Sequence, residues 1–299
     1  MSENCNNQQN INIEKDNTII AECQVNSSID ATSTSNNDEG AKNNKGKHVV
    51  SMPNNGKTIE ITKDTNFGCK NKFQKVMLNI GWFFAVRILW CYSKLFLGLK
   101  VEGKENYKQL KSKENGFLVI SNHMHVMDTP LVAVTLMPSK IQFTSIESNF
   151  AIPVAGKILS FFNVIPMPEN PFKLKIVFDY INKAVGEGNI IHLFPEGVLL
   201  PYNNELKCFN RGVFMCAEKA DCSILPIVYT QRKAKGLFKF FKKYHCSYTA
   251  HVLPPITANK ALKRKDAIVD MEIRARQIME ETLNKYDENI VKKDYSDFK

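Results

Sequence analysis

His123 and Asp128 lie five residues apart in the run Phe117-Leu-Val-Ile-Ser-Asn-His-Met-His-Val-Met-Asp-Thr-Pro130. An apolar, strand-like segment from Phe117 to Ile120 ends in a polar elbow that holds an imidazole, and a carboxylate follows. A carboxylate that accepts from one ring nitrogen fixes the tautomer and leaves the other nitrogen to take a proton from a hydroxyl. No obvious nucleophile stands beside the pair. The chemistry it suits is direct transfer of an activated group to a substrate hydroxyl. His125 is close enough to be the base instead. A second strand-like run, Ile190-Ile-His-Leu-Phe-Pro-Glu-Gly197, ends in a tight turn with Glu196 at its tip. Two strands that each end in a reactive polar elbow are the way an α/β sheet builds a site.

The elements around these elbows alternate strand and helix, which predicts an α/β fold. Strands are read at 117–121, 141–145, 163–166, 190–194, 223–229 and 248–253. Helices are read at 129–136, at 150–162 with a break at Pro153, at 172–185 and at 212–220. Val177, Tyr180, Ile181 and Ala184 share one face of the 172–185 helix, and Gly186 and Gly188 stop it. A long charged helix at 260–286 reads as a solvated face over a narrow apolar stripe. The fold expected is a mixed β-sheet flanked by helices, preceded by a membrane-associating helical segment.

Composition divides the 299 residues. Residues 1–66 are rich in Asn, Ser, Thr and Lys and show no apolar period, so they read as a disordered polar tail unable to offset its ordering entropy. Residues 67–100 read as the membrane-associating segment and 101–299 as the catalytic domain. The tail carries 6 Lys/Arg against 9 Asp/Glu, and the whole chain is +10, so residues 67–299 carry +13. A domain this basic suits an anionic partner. No nucleic-acid-binding signature stands out, which leaves a membrane surface and phosphorylated substrates. The eight cysteines are scattered without a C-x-x-C pair, so no zinc site and a reducing, cytoplasmic setting are expected. The N-terminus lacks the pattern of a secretory signal.

Val76 to Leu99 is apolar and long enough to span a bilayer. Arg87 near its middle disfavours a spanning helix by about 2.5–3.5 kcal/mol. Lys72, Lys75, Arg87 and Lys94, with Trp82, Trp90 and Tyr92, suit an amphipathic helix in the headgroup layer. A spanning helix and an ordinary core-covering helix remain the alternatives.

The blocks Asn122-His123-x-x-x-x-Asp128 and Phe194-Pro195-Glu196-Gly197 resemble the glycerolipid acyltransferase superfamily, of the 1-acylglycerol-3-phosphate acyltransferase type. Glu147, Pro153 and Gly156 leading to Val164-Ile165-Pro166 are similar to its second motif, and Ile224-Leu225-Pro226-Ile227 to its fourth. The similarity runs from about Phe73 to Ile256. It implies attack of an acceptor hydroxyl on an acyl thioester, with His123 as base, oriented by Asp128, and without a covalent intermediate on Ser121 or Cys208. It implies further that Glu196, Gly197, Asn122 and Arg211 bind substrate, that acyl-CoA or acyl-carrier protein is the co-substrate, and that no metal or cofactor takes part. Phe150, Ile158, Phe161 and Phe162 read as lining for an acyl groove or as plain core.

Three departures bear on the acceptor. Val198-Leu199-Leu200 replaces the family's Thr-Arg-Ser, Met167-Pro168-Glu169 replaces an Asp-Arg pair, and Ser145-Ile146 stands where a basic residue usually precedes Glu147. Those cations are the family's grip on the acceptor phosphate; in one reading Lys157, Lys207 or Arg211 takes it over, with Arg211 favoured. The alternatives are a lysophospholipid acceptor with a different headgroup, or a non-catalytic membrane-binding protein.

Overall fold

The computed structural model describes residues 61, 62, 65, 67–69, 71–125, 127–199, 201, 205–235 and 246–288. Most of the span read as a disordered tail lies outside the described residues. Within it, Ile61 is buried and packs with Phe67 in the core.

Seven strands form one sheet: β1 (Lys100–Glu102), β2 (Phe117–Ser121), β3 (Ile141–Ile146), β4 (Ile165–Met167), β5 (Ile190–Leu193), β6 (Ile224–Lys233) and β7 (Cys246–Val252), in the order β1-β7-β6-β2-β5-β3-β4. All neighbours are parallel except β6 and β7. The sheet is therefore mixed, as expected. β2 is central and buried on both faces, which is why Phe-Leu-Val-Ile reads as a continuous apolar run instead of an alternating one.

Helices cover both faces. Leu118, Ile120, Ile191 and Leu193 point toward α5 (Pro171–Gly186), α6 (Gly212–Ala220) and α7 (Arg264–Tyr286). Phe117, Val119, Ile190 and Leu225 point toward α2 (Lys104–Lys113) and α3 (Asp128–Thr135). The stripe on α7 is Ile268, Met271, Ala275, Met279 and Leu283, at helical spacing. Strand β6 runs four residues past Tyr229 because β7 pairs antiparallel with it as far as Lys233 opposite Cys246. The apolar stretch around Pro153 splits into a 3₁₀ turn, Glu147–Ala151, and α4, Ala155–Phe161. Strand β1 and helix α2 were not foreseen. Strand β1 is three residues long, and α2 buries only Tyr107 and Leu110 in a lysine-rich sequence.

Helix α1 (Lys72–Leu95) starts at Asn71, whose side chain accepts the Gln74 N–H at 2.8 Å. It is the one helix among the described residues long and apolar enough to cross a membrane. Its inner face rests on the domain through Leu78, Val86 and Ser93, with Trp82 stacked on Phe143 of β3 at 6.1 Å between centroids. Its outer face carries Phe73, Phe84 and Ile88 uncovered.

Candidate active site

Strands β2 and β5 run parallel in register, Ile120 beside Leu193, so the two polar elbows leave the sheet side by side at its carboxyl edge. Asn122 prolongs the ladder past the end of β2. Its Oδ1 accepts the Tyr229 N–H at 2.8 Å and its Nδ2 donates to Tyr229 O at 3.0 Å, as a peptide group in a strand would. The backbone is then released from pairing with β6 and turns. Asn122 is buried and its amide is engaged with the protein, so it positions the elbow.

His123 follows at the turn. Its Nδ1 lies 3.0 Å from Asp128 Oδ2. The same oxygen accepts the N–H groups of Met124 at 2.7 Å and His125 at 2.8 Å. An ionised Asp128 is acceptor-only, so Nδ1 carries the proton and Nε2 presents a lone pair. Asp128 is 1% exposed while the His123 side chain is 19% exposed, so the pair is buried at its anchor and open at its tip. Asp128 opens helix α3, where the helix dipole favours a negative charge. The His123 ring is clamped from the side by Phe194, stacked at 3.8 Å between centroids and 14° between planes. Phe194 in turn meets His192 edge-on at 4.5 Å. His192 is wholly buried, bonds Ser121 Oγ at 2.9 Å, and is held neutral by burial, its pKa lowered to about 3. Ser121 is thus tied to His192. His125 turns inward: its Nδ1 accepts the Met127 N–H at 3.0 Å, and burial lowers its pKa.

Glu196, for which the resemblance implied substrate binding, is engaged by the backbone on both oxygens. Its Oε1 accepts the backbone N–H of His123 at 3.0 Å and its Oε2 that of Lys207 at 3.0 Å. The carboxylate joins the two elbows from inside the protein. Burial pushes its pKa up to about 7, against the downward pull of those two N–H groups. Gly197 has φ +68°, and a Cβ there would come within 2.7 Å of Asn210 Nδ2, so the turn requires glycine. Its N–H donates to Phe194 O at 3.2 Å within the turn.

Arg211 Nε donates to Glu272 Oε2 of α7 at 2.7 Å, so this cation is already engaged by a carboxylate. Lys207 sits nearer, its backbone bonded to Glu196, and its ammonium has no carboxylate within ion-pair distance among the described residues. Lys157, with Ile158 and Phe161, lies exposed on α4, while Phe150 and Phe162 pack on the core.

Arg276 was missed in the sequence. From α7, in a helix read as a solvated face, its Nη1 donates to Lys207 O at 3.1 Å and its Nη2 to Leu206 O at 3.3 Å. It braces the segment that bonds Glu196. Nothing in the spacing of α7 marks it. Phe194 was quoted within its motif, but its stacking on His123 depends on the register of β5 beside β2.

The acyltransferase family profile matches residues 98–230, which hold both elbows and the strands that carry them. Residues 98–230 are similar to that family. It is 27% identical over 175 residues to human 1-acyl-sn-glycerol-3-phosphate acyltransferase beta, covering 58% of this chain and 59% of that protein. The chain therefore matches about three-fifths of that relative's length. Among solved structures it is similar to the 1-acyl-sn-glycerophosphate (LPA) acyltransferase of Thermotoga maritima, with a TM-score of 0.48, 17% identity, and coverage of 73% of this chain and 84% of that one. His123, Asp128, Glu196 and Gly197 all fall inside the matched residues. Arg276 and Glu272 lie beyond them.

Proposed function

We propose that the protein transfers a fatty acyl group from a thioester, acyl-CoA or acyl-carrier protein, to the free hydroxyl of 1-acyl-sn-glycerol-3-phosphate, giving phosphatidic acid. The observation that carries this reading is the His123–Asp128 pair, with Nδ1 tied to a buried carboxylate and Nε2 facing outward, within residues similar to the acyltransferase family. His123 Nε2 takes the hydroxyl proton as the oxygen attacks the thioester carbon. The C–O bond forms, the C–S bond breaks, and the proton passes to the departing sulfur. Asp128 stabilises the imidazolium in between. Such a base contributes about 10²–10⁴-fold. The chemistry calls for no metal or cofactor. The name of the human relative supports the acceptor, and the basic domain suits both donors and an anionic cytoplasmic membrane face.

A second acceptor class is favoured by one observation. The family's phosphate-binding arginines are missing from the runs Val198-Leu199-Leu200 and Met167-Pro168-Glu169, and Arg211 is paired with Glu272. A lysophospholipid with a larger headgroup would carry its phosphate elsewhere. The deciding experiment follows thiol release from palmitoyl-CoA by purified full-length protein, beside His123→Ala. Release that requires both lysophosphatidic acid and His123 is the expected result. Release with lysophosphatidylcholine or lysophosphatidylglycerol alone would reassign the acceptor. Release that survives His123→Ala would sink the mechanism.

A further inference from the structure

Behind the His123–Asp128 pair the protein buries a second imidazole. His192 is wholly buried in β5, with Val119 of β2 opposite it on one side and Phe143 of β3 on the other. Its backbone carbonyl also accepts the Thr144 hydroxyl at 3.3 Å. Its Nε2 lies 2.9 Å from Ser121 Oγ, and Ser121 is wholly buried too. Its Nδ1 is buried without a hydrogen-bond partner among the described residues. A leucine would fill a similar volume of core and leave no nitrogen unpaired. Packing alone therefore does not account for the imidazole.

Ser121 and His192 look like a nucleophile with its base, yet neither has surface that a substrate could reach. Their link to the exposed pair runs through rings. His192 meets Phe194 at 4.5 Å between centroids with the planes at 87°, and Phe194 stacks on His123 at 3.8 Å with the planes at 14°. Phe143 also meets the His192 ring, at 5.6 Å. Asp128 holds His123 at one atom, Nδ1. A single hydrogen bond leaves the ring free to pivot about that atom, and a face-on contact adds the missing plane. Point and plane together aim Nε2. Phe194 is only part-buried, and the His192 ring packs against it. The Ser121 bond in turn keeps the His192 ring from rotating.

We propose that the buried Ser121–His192 pair positions the base: it fixes the His192 ring, which sets the plane of Phe194, which aims His123 Nε2 at the acceptor hydroxyl. The inference rests on the acyl-transfer reading above and adds two positioning residues to it. Burial keeps His192 neutral, its pKa lowered to about 3, and the neighbouring His123 pushes the same way. His192 thus stays uncharged while His123 passes through its imidazolium, and no second cation opposes that step.

The test is the double change Ser121→Ala with His192→Leu, which removes both partners together and orphans neither. The melting midpoint of the full chain is expected to stay at or above that of the parent. Turnover in thiol release is expected to fall about tenfold with KM for the acceptor within about twofold, because a misaimed base slows the chemical step and leaves binding alone. Phe194→Leu is expected to cost as much, and to add little to the double change, since both act through one ring. Parent-like kcat in the double variant would overturn the proposal. So would a loss of kcat that accompanies a lowered melting midpoint, or losses that multiply in full when Phe194→Leu is added.

A substrate-free readout separates this inference from acyl transfer itself. Stacking on Phe194 shifts the carbon-bound ring protons of His123 upfield, and these signals are identified by their loss in His123→Ala. In the double variant they are expected to move toward the position of a free imidazole. Unmoved signals would overturn the proposal even if kcat fell. Moved signals in a protein whose parent shows no turnover would count against acyl transfer and uphold the positioning of His123.

Discussion

The two elbows at the carboxyl edge of the sheet look alike in sequence and differ in what their polar groups do. After β2, the protein buries a carboxylate to hold an imidazole whose far nitrogen meets solvent. After β5, it buries a carboxylate whose two oxygens both end on backbone N–H groups. One elbow presents a partly exposed imidazole and the other is bonded to the backbone of the first.

The sharpest break in the comparison is His123→Ala. It should lower kcat by about 10²–10⁴-fold with the fold intact, because the ring is partly exposed and Phe194 remains in place. Thiol release and circular dichroism together would check it. Asp128→Asn retains an oxygen for the Met124 and His125 N–H groups but removes the charge facing the imidazolium. A charge-assisted hydrogen bond of about 1.5–3 kcal/mol corresponds to a loss of roughly 10- to 150-fold in kcat. Parent-like activity in that variant would remove Asp128 from its role.

Glu196→Gln tests the second elbow. In the parent, burial raises the carboxyl pKa to about 7, so below that pH it protonates and one oxygen turns from acceptor to donor against an N–H. Activity should therefore fall as pH drops below about 7. The amide fixes the half-satisfied state at every pH. Its activity should be roughly 3- to 10-fold lower at pH 8, with that acid-side titration gone from the pH–rate profile. A substrate-contact role would instead appear as a raised KM for the acceptor with the titration retained. Arg276→Gln should have a smaller effect on kcat. Arg276 lowers the Glu196 pKa, so its loss should move the acid limb to higher pH, and Arg276→Lys should partly restore it. Arg211→Ala is expected to be the mildest, with KM for a phosphate-bearing acceptor changed less than about twofold, because Glu272 already holds Nε. A large rise in KM would return Arg211 to the acceptor site.

The elements around the candidate site were legible because each has a strong local signature. The apolar runs at 117–121 and 190–194 read as strands and Gly197 as part of a tight turn, and the structure gives buried strands there and a positive φ at Gly197. Arg211 shows where legibility ends. It stands at the right place in the motif order, but its partner Glu272 comes from a helix 61 residues away. A separation of 69 residues likewise hides Arg276, which reaches Lys207 from a helix whose pattern reads as surface.

Residue order alone established the α/β class, the basic charge of residues 67–299, the histidine and carboxylate singled out in the first elbow, and an apolar helix ahead of them. Local periodicity and motif spacing act over a few residues, and those are all such features need. Three-dimensional packing settled which oxygen of Glu196 meets which N–H, that Asn122 serves Tyr229, and that the inner face of α1 is covered while its outer face is not. Each of these is a contact between segments distant in sequence. Such contacts depend on strand order and helix placement, and these are set by burying the whole set of apolar faces at once.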